Sequence, residues 1–178
     1  MRRRLVATLT ASALALGIIV GPVAAANPAP KPVANSIVDV ALAANAESGE
    51  FSILIAALQN ADPSIIAMLD GKGQFTVFAP TDAAFVNLLG ILGVSAGDLL
   101  GNQPLLNSVL KYHVARGERD SGDVLGASRI RTLNGAFVRQ SGGQLIDRNA
   151  ATPNAGFVAT DLPSSNGIIH VIDQVLVP

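Results

Sequence analysis

The closing run Ile168-Ile-His-Val-Ile-Asp-Gln-Val-Leu-Val177 carries apolar residues in both of its alternating sets. A strand built from it is apolar on both faces and needs a cover on each, so a sheet open to water on one side does not suit it. Segment 74–79 makes a similar demand, with Phe75, Val77 and Ala79 on one face and Thr76 and Phe78 on the other.

The remaining sequence supplies the cover. Ile37, Val40, Ala41 and Ala44 follow helical spacing, as do Phe51, Leu54, Ile55 and Leu58. Asp62-Pro63 reads as a helix cap followed by a first-turn proline, and Gly71-Lys-Gly73 ends that helical portion. Thr81 is placed to cap a short helix over 82–89, with the Asp82 carboxylate near its positive end. Pro104 opens a helix whose stripe is Leu106, Val109, Leu110 and His113. After Gly122 the pattern predicts strands over 129–133, 136–140 and 144–148, joined by turns at Asn134-Gly135 and Gly142-Gly143, then over 157–160 and 168–177. A helical first half followed by a strand-rich second half predicts an α+β fold.

The first 26 residues read as a secretory signal peptide: Arg2, Arg3 and Arg4, a mainly apolar stretch over 5–20, and Ala24-Ala25-Ala26 before Asn27. Residues 27–35 form a proline-rich linker, and the globular domain spans 36–178. Removing residues 1–26 takes three of the 12 basic residues and none of the 13 acidic ones, which leaves a net charge of −4. No run of basic residues follows Arg4, so neither nucleic acid nor an anionic membrane is an expected partner. The chain has no cysteine, which excludes disulfides, thiolate metal sites and a cysteine nucleophile. The expected product is a secreted protein, extracellular or periplasmic, stabilised by its core and without a membrane span once the signal is cleaved.

Three segments then give the reading a family. Phe75-Thr-Val-Phe-Ala-Pro-Thr-Asp-Ala-Ala-Phe85, Lys111-Tyr-His-Val114 and Asn166-Gly-Ile-Ile-His-Val-Ile-Asp-Gln-Val-Leu-Val-Pro178 resemble, in order and spacing, the motifs of the fasciclin domain. The resemblance covers roughly residues 36–178 and implies a wedge of two β-sheets with several helices around it. It also implies a non-enzymatic module for adhesion to a cell-surface or matrix protein or polysaccharide, with no cofactor. Thr81, Asp82, His113, Asn166, Gly167, His170 and Asp173 fall on the family motifs as structural positions. Tyr112, His113, Asp161 and Leu162 fall on segments linked in animal members to partner contact; Leu162 stands where those members carry isoleucine. Tyr112 is expected to be exposed and His113 to hold the fold.

Chemistry in the residues themselves is sparse. His113 and His170 are the only histidines, each set in apolar sequence and read as neutral structural groups; with no third ligand at short spacing they make a poor zinc site. Gly93-Val-Ser-Ala-Gly97 matches a nucleophile elbow in letters, but the preceding sequence reads as helices with one strand, and Ser95 with Asp98 reads better as a helix cap. The alternative to adhesion is a carrier holding a small apolar ligand between sheet and helices, since 49% of the residues are hydrophobic.

Overall fold

A computed structural model describes residues 35–178; the expected signal peptide over 1–26 and nearly all of the expected linker lie outside the described residues. Seven helices and seven strands follow: α1 (Ile37–Ser48), α2 (Ser52–Asn60), α3 (Pro63–Leu69), β1 (Phe75–Pro80), α4 (Asp82–Leu92), α5 (Ala96–Gly101), α6 (Gln103–Tyr112), β2 (Val114–Arg116), α7 (Ser121–Gly126), β3 (Arg129–Arg131), β4 (Phe137–Ser141), β5 (Gln144–Ile146), β6 (Phe157–Ser164) and β7 (Gly167–Ile172). This is the expected α+β arrangement, with six helices and one strand before β2.

The four-stranded sheet has the order β2-β1-β7-β6, and the three-stranded sheet the order β3-β4-β5. β1 and β7 lie side by side in parallel, from Phe75 opposite Gly167 to Pro80 opposite Ile172, and every residue of both strands is buried. Their two faces feed two different cores. Val77, Ala79, Ile169 and Val171 join the helical core with Phe51, Leu54, Ile65 and Leu106. Phe78 and Ile172 point the other way, to Tyr112, Ile130, Val138 and Leu145. The four-stranded sheet is therefore the middle of three layers, with helices on one side and the three-stranded sheet on the other.

Helix starts follow the sequence closely. Ser36 and Ser95 each complete a capping box, with Asp39 and Asp98, while Asp62 and Thr81 accept from the backbone N–H of Ser64 and Ala84. At Gly142-Gly143 both residues have positive φ, 60° and 80°, as a tight hairpin turn requires.

Several expectations change. The strand over 168–177 stops at Ile172, because the backbone donors that follow turn to other acceptors: Asp173 N–H to the Gly156 carbonyl, Leu176 N–H to the His113 ring, and Val177 N–H to the Asp147 carboxylate. The strand over 157–160 runs on to Ser164 through two irregularities in its pairing with β7. Residues 121–126, to which the pattern assigns no element, are helical, because Asp120 accepts from Asp123 N–H and caps α7. The Asn134-Gly135 turn widens into a loop over 132–136, closed by the Asn134 side chain accepting from Thr132 Oγ1 and Ala136 N–H.

Candidate functional site

The family-motif residues are brought together as joints between layers. Asn166 is buried just before β7; its Oδ1 accepts from Ile37 N–H at 2.9 Å, and its Nδ2 donates to the Leu69 and Gly71 carbonyls. One amide thus ties the start of α1 and the end of α3 to the sheet. Beside it, Gly167 leaves no room for a side chain: a Cβ there would stand 2.0 Å from the Phe75 carbonyl oxygen.

Asp82 does more than favour its own helix. Its carboxylate accepts from Ser52 N–H at 3.1 Å and Ile53 N–H at 2.8 Å, so it caps α2, whose own N-cap residue, Phe51, makes no side-chain cap. Asp173 accepts from Gly156 N–H at 2.6 Å and pins the approach to β6.

Both histidines are buried and hydrogen-bonded to backbone through both ring nitrogens. His113 donates from Nδ1 to the Val109 carbonyl at 2.8 Å and accepts at Nε2 from Leu176 N–H at 2.9 Å, which fixes a neutral tautomer. Burial pushes its pKa down to about 4. His170 donates from Nε2 to the Arg119 carbonyl and accepts at Nδ1 from Asp161 N–H, with its ring stacked 5.9 Å from Phe78. Ser95, bonded to Asp98, is part of a helix cap with neither histidine among its hydrogen-bond partners.

Two of the expected contact residues are not on the surface. Tyr112 is fully buried; its hydroxyl donates to the Phe137 carbonyl at 3.0 Å, and burial pushes its pKa up to about 12. It lies on the inward side of α6, packed between the two sheets. His113, 3% exposed, is likewise unavailable to a partner. The other two remain accessible. Asp161 is exposed and is, among the described residues, the one non-glycine with positive φ, at 62°. Its carboxylate accepts from Ser121 N–H at 2.7 Å, and hydrogen bonding to Ser121 holds it below the usual carboxylate range. This bond and the His170 contact hold the irregularity in β6 that falls between Ala159 and Leu162.

Leu162, half-buried, lines an open groove of about 240 Å³ between α1 and the outer end of the four-stranded sheet. Val40 and Ala44 form one wall, Val158 and Leu162 the other, and Glu47 and Glu50 stand on the rim. Val158 is 58% exposed; the adjacent apolar pair Phe157-Val158 does not reveal in the sequence which side of an edge strand stays open. By contrast, the enclosed apolar gap between the helices and the sheet, lined by Ile37, Leu54, Val77 and Leu110 among others, measures about 30 Å³. Ligand pockets are typically about 300–1,000 Å³. Among the described residues no cluster of three metal-ligating side chains occurs, and no single helix is long and apolar enough to cross a membrane.

Comparison with known proteins places this geometry. The family model of the fasciclin domain matches residues 49–178. The chain is 34% identical to the immunogenic protein MPB70 of Mycobacterium bovis, over 92% of this chain and 84% of that protein. It is 33% identical to the cell surface glycolipoprotein MPB83 of Mycobacterium bovis, over 87% of this chain and 68% of that protein. Among solved structures, a fasciclin domain pair from the insect cell adhesion molecule fasciclin I superposes with a TM-score of 0.55 at 19% identity, covering 74% of this chain and 47% of that one.

Proposed function

Because this chain belongs to the fasciclin family, we propose that it is an exported, non-enzymatic binding module that attaches to a cell-surface or extracellular-matrix protein or polysaccharide. The observation that carries the reading is the β6 edge: Val158 and Leu162 border an open apolar groove, and the exposed Asp161 beside them is held in a rare backbone conformation by Ser121 and His170. A non-glycine residue held at positive φ by its surroundings is a starting point for a functional hypothesis. The names of two similar proteins, a cell surface glycolipoprotein and a cell adhesion molecule, support the same placement at a surface. A carrier role finds little support, because the enclosed gap of about 30 Å³ is far below the volume of a lipid-sized ligand.

The test is saturation binding of the labelled protein to washed surface material of the producing cells and to a panel of matrix proteins and polysaccharides. Leu162→Glu and Val158→Glu put a charge on the groove wall and are expected to weaken binding at least about tenfold, with an unchanged circular dichroism spectrum. Binding that neither variant alters would remove the β6 edge from the contact.

A further inference from the structure

On the other outer face of the molecule, the three-stranded sheet turns Ile130, Val138 and Leu145 into the core and leaves the alternate positions facing outward. Three of those positions are arginines. Arg129 and Arg139 stand directly opposite each other across the β3–β4 pair, and Arg131 stands opposite Phe137. All three arginines are exposed, and Phe137 is 41% exposed. The Arg129 guanidinium lies 5.0 Å over the Phe137 ring centroid. Arg129, Phe137, Arg139 and Arg148 line a hollow of about 550 Å³. A second hollow of about 430 Å³ meets it at Gly135 and is lined by Arg116, Arg119 and Arg131. Six of the nine basic residues that follow residue 26 thus gather on one side of a chain whose remaining charge is acidic.

Like charges directly opposite on neighbouring strands destabilise a sheet. Asp147, beside Arg148 in the chain, is buried and accepts from Asn149 N–H, Thr152 Oγ1 and Val177 N–H, away from the exposed faces of Arg129 and Arg139. A facing arginine pair beside an exposed aromatic ring is an arrangement that folding disfavours and an anion would relieve, since two guanidinium forks suit a carboxylate or sulfate.

We propose that this face is a second binding site, and that its ligand is an acidic polysaccharide. The arginines take the carboxylate or sulfate groups of successive sugars along the two joined hollows, and the Phe137 ring packs against the apolar C–H face of one pyranose. A polysaccharide fits better than a nucleic acid, because outside the patch three lysines stand against 13 acidic residues after residue 26, a net charge of −10 that repels a polyphosphate extending beyond it, and because a single exposed ring gives no series of platforms for stacked bases. The proposal deepens the binding-module reading by naming a partner class, but it uses a different face from the β6 groove.

The experiment is isothermal titration of the protein with alginate oligosaccharide, neutral dextran and a single-stranded oligonucleotide, at about 50 and about 200 mM salt. Alginate is expected to bind, to weaken several-fold at the higher salt, and to weaken at least about tenfold in the double variant Arg129→Ser, Arg139→Ser; dextran is expected not to bind. Phe137→Ser is expected to weaken alginate several-fold, and Arg148→Ser, outside the strands, gives an independent variant should the double one not fold. Alginate binding no stronger than dextran, insensitivity to both sets of arginine variants, or tighter binding to the oligonucleotide would each overturn the proposal. Normal attachment of the arginine variants to surface material, with loss in Leu162→Glu, would sink this site and leave the adhesion reading standing; alginate binding without surface attachment would do the reverse.

Discussion

Lowering the pH from 7 to 4 protonates His113 in the unfolded chain well before it does so in the folded one. The folded ring donates to the Val109 carbonyl and accepts from Leu176 N–H, so a second proton would displace the Leu176 bond and place a charge in the core. Its folded pKa is about 4, against the ordinary 6.5. The folded value is depressed and the charged form is the protonated one, so the unfolded state binds more protons between these limits. The stability contributed by His113 is fully present above about pH 6.5 and is lost as the pH falls toward 4. At about 1.4 kcal/mol per pH unit, the loss amounts to about 3 kcal/mol. That is a large part of the roughly 5–15 kcal/mol that holds a typical domain together. Carboxylate titration adds its own acid dependence, so the assay is comparative: urea unfolding by circular dichroism from pH 7 to pH 4, on the protein and on His113→Gln, whose amide can donate and accept but not titrate. The variant is expected to be less stable at pH 7 and to lose about 3 kcal/mol less on acidification. Parallel stability curves for the two proteins would refute the argument that burial of a neutral His113 sets this dependence.

Gly167→Ala brings a Cβ to 2.0 Å from the Phe75 carbonyl oxygen, at the first pair of the central parallel ladder, where neither backbone can move without breaking the register. It is expected to cost more than about 4 kcal/mol or to prevent folding, read as soluble yield and melting temperature; a variant melting within a few degrees of the parent would contradict the packing described. Asp82→Ala removes the acceptor of two α2 donors and is expected to cost about 1–2 kcal/mol in urea unfolding, with Asp82→Asn recovering part of the loss. Equal stability of the alanine variant would show that α2 needs no cap.

Much of the fold was legible because its signals are local or nearly so. The caps at Ser95, Asp62 and Thr81 need only a short side chain two or three residues before its donor, and all three form. The double-sided apolar pattern of 74–79 and 168–172 required a middle layer, and β1 and β7 pair with each other there. What the pattern misjudged are ends and roles decided at long range. Residues 173–177 look like more strand because Val175 and Leu176 are apolar, yet their backbone is held by His113 and Asp147, groups distant in sequence. Tyr112 is expected at the surface because the resemblance links its segment to partner contact in animal members; its hydroxyl instead finds the Phe137 carbonyl between the sheets.

The sites divide in the same way, and the division explains why the basic face is not legible in the sequence. Asp161 and Leu162 are neighbours in sequence, so a motif can mark them, although nothing local reveals that a ring nitrogen of His170 and the amide of Ser121 hold the segment's shape. The arginines stand singly at 116, 119, 129, 131, 139 and 148, separated by acids and apolar residues, and a scan for charge runs passes over them. Antiparallel pairing folds positions 129 and 139 onto each other, and strand alternation sends 129, 131 and 139 outward together while 130 and 138 go inward. Basic residues at three of the five outward positions of two paired strands are thus the charge equivalent of an amphipathic strand. It becomes visible once the hairpin register is assigned, and the register here rests on the loop over 132–136 that Asn134 closes.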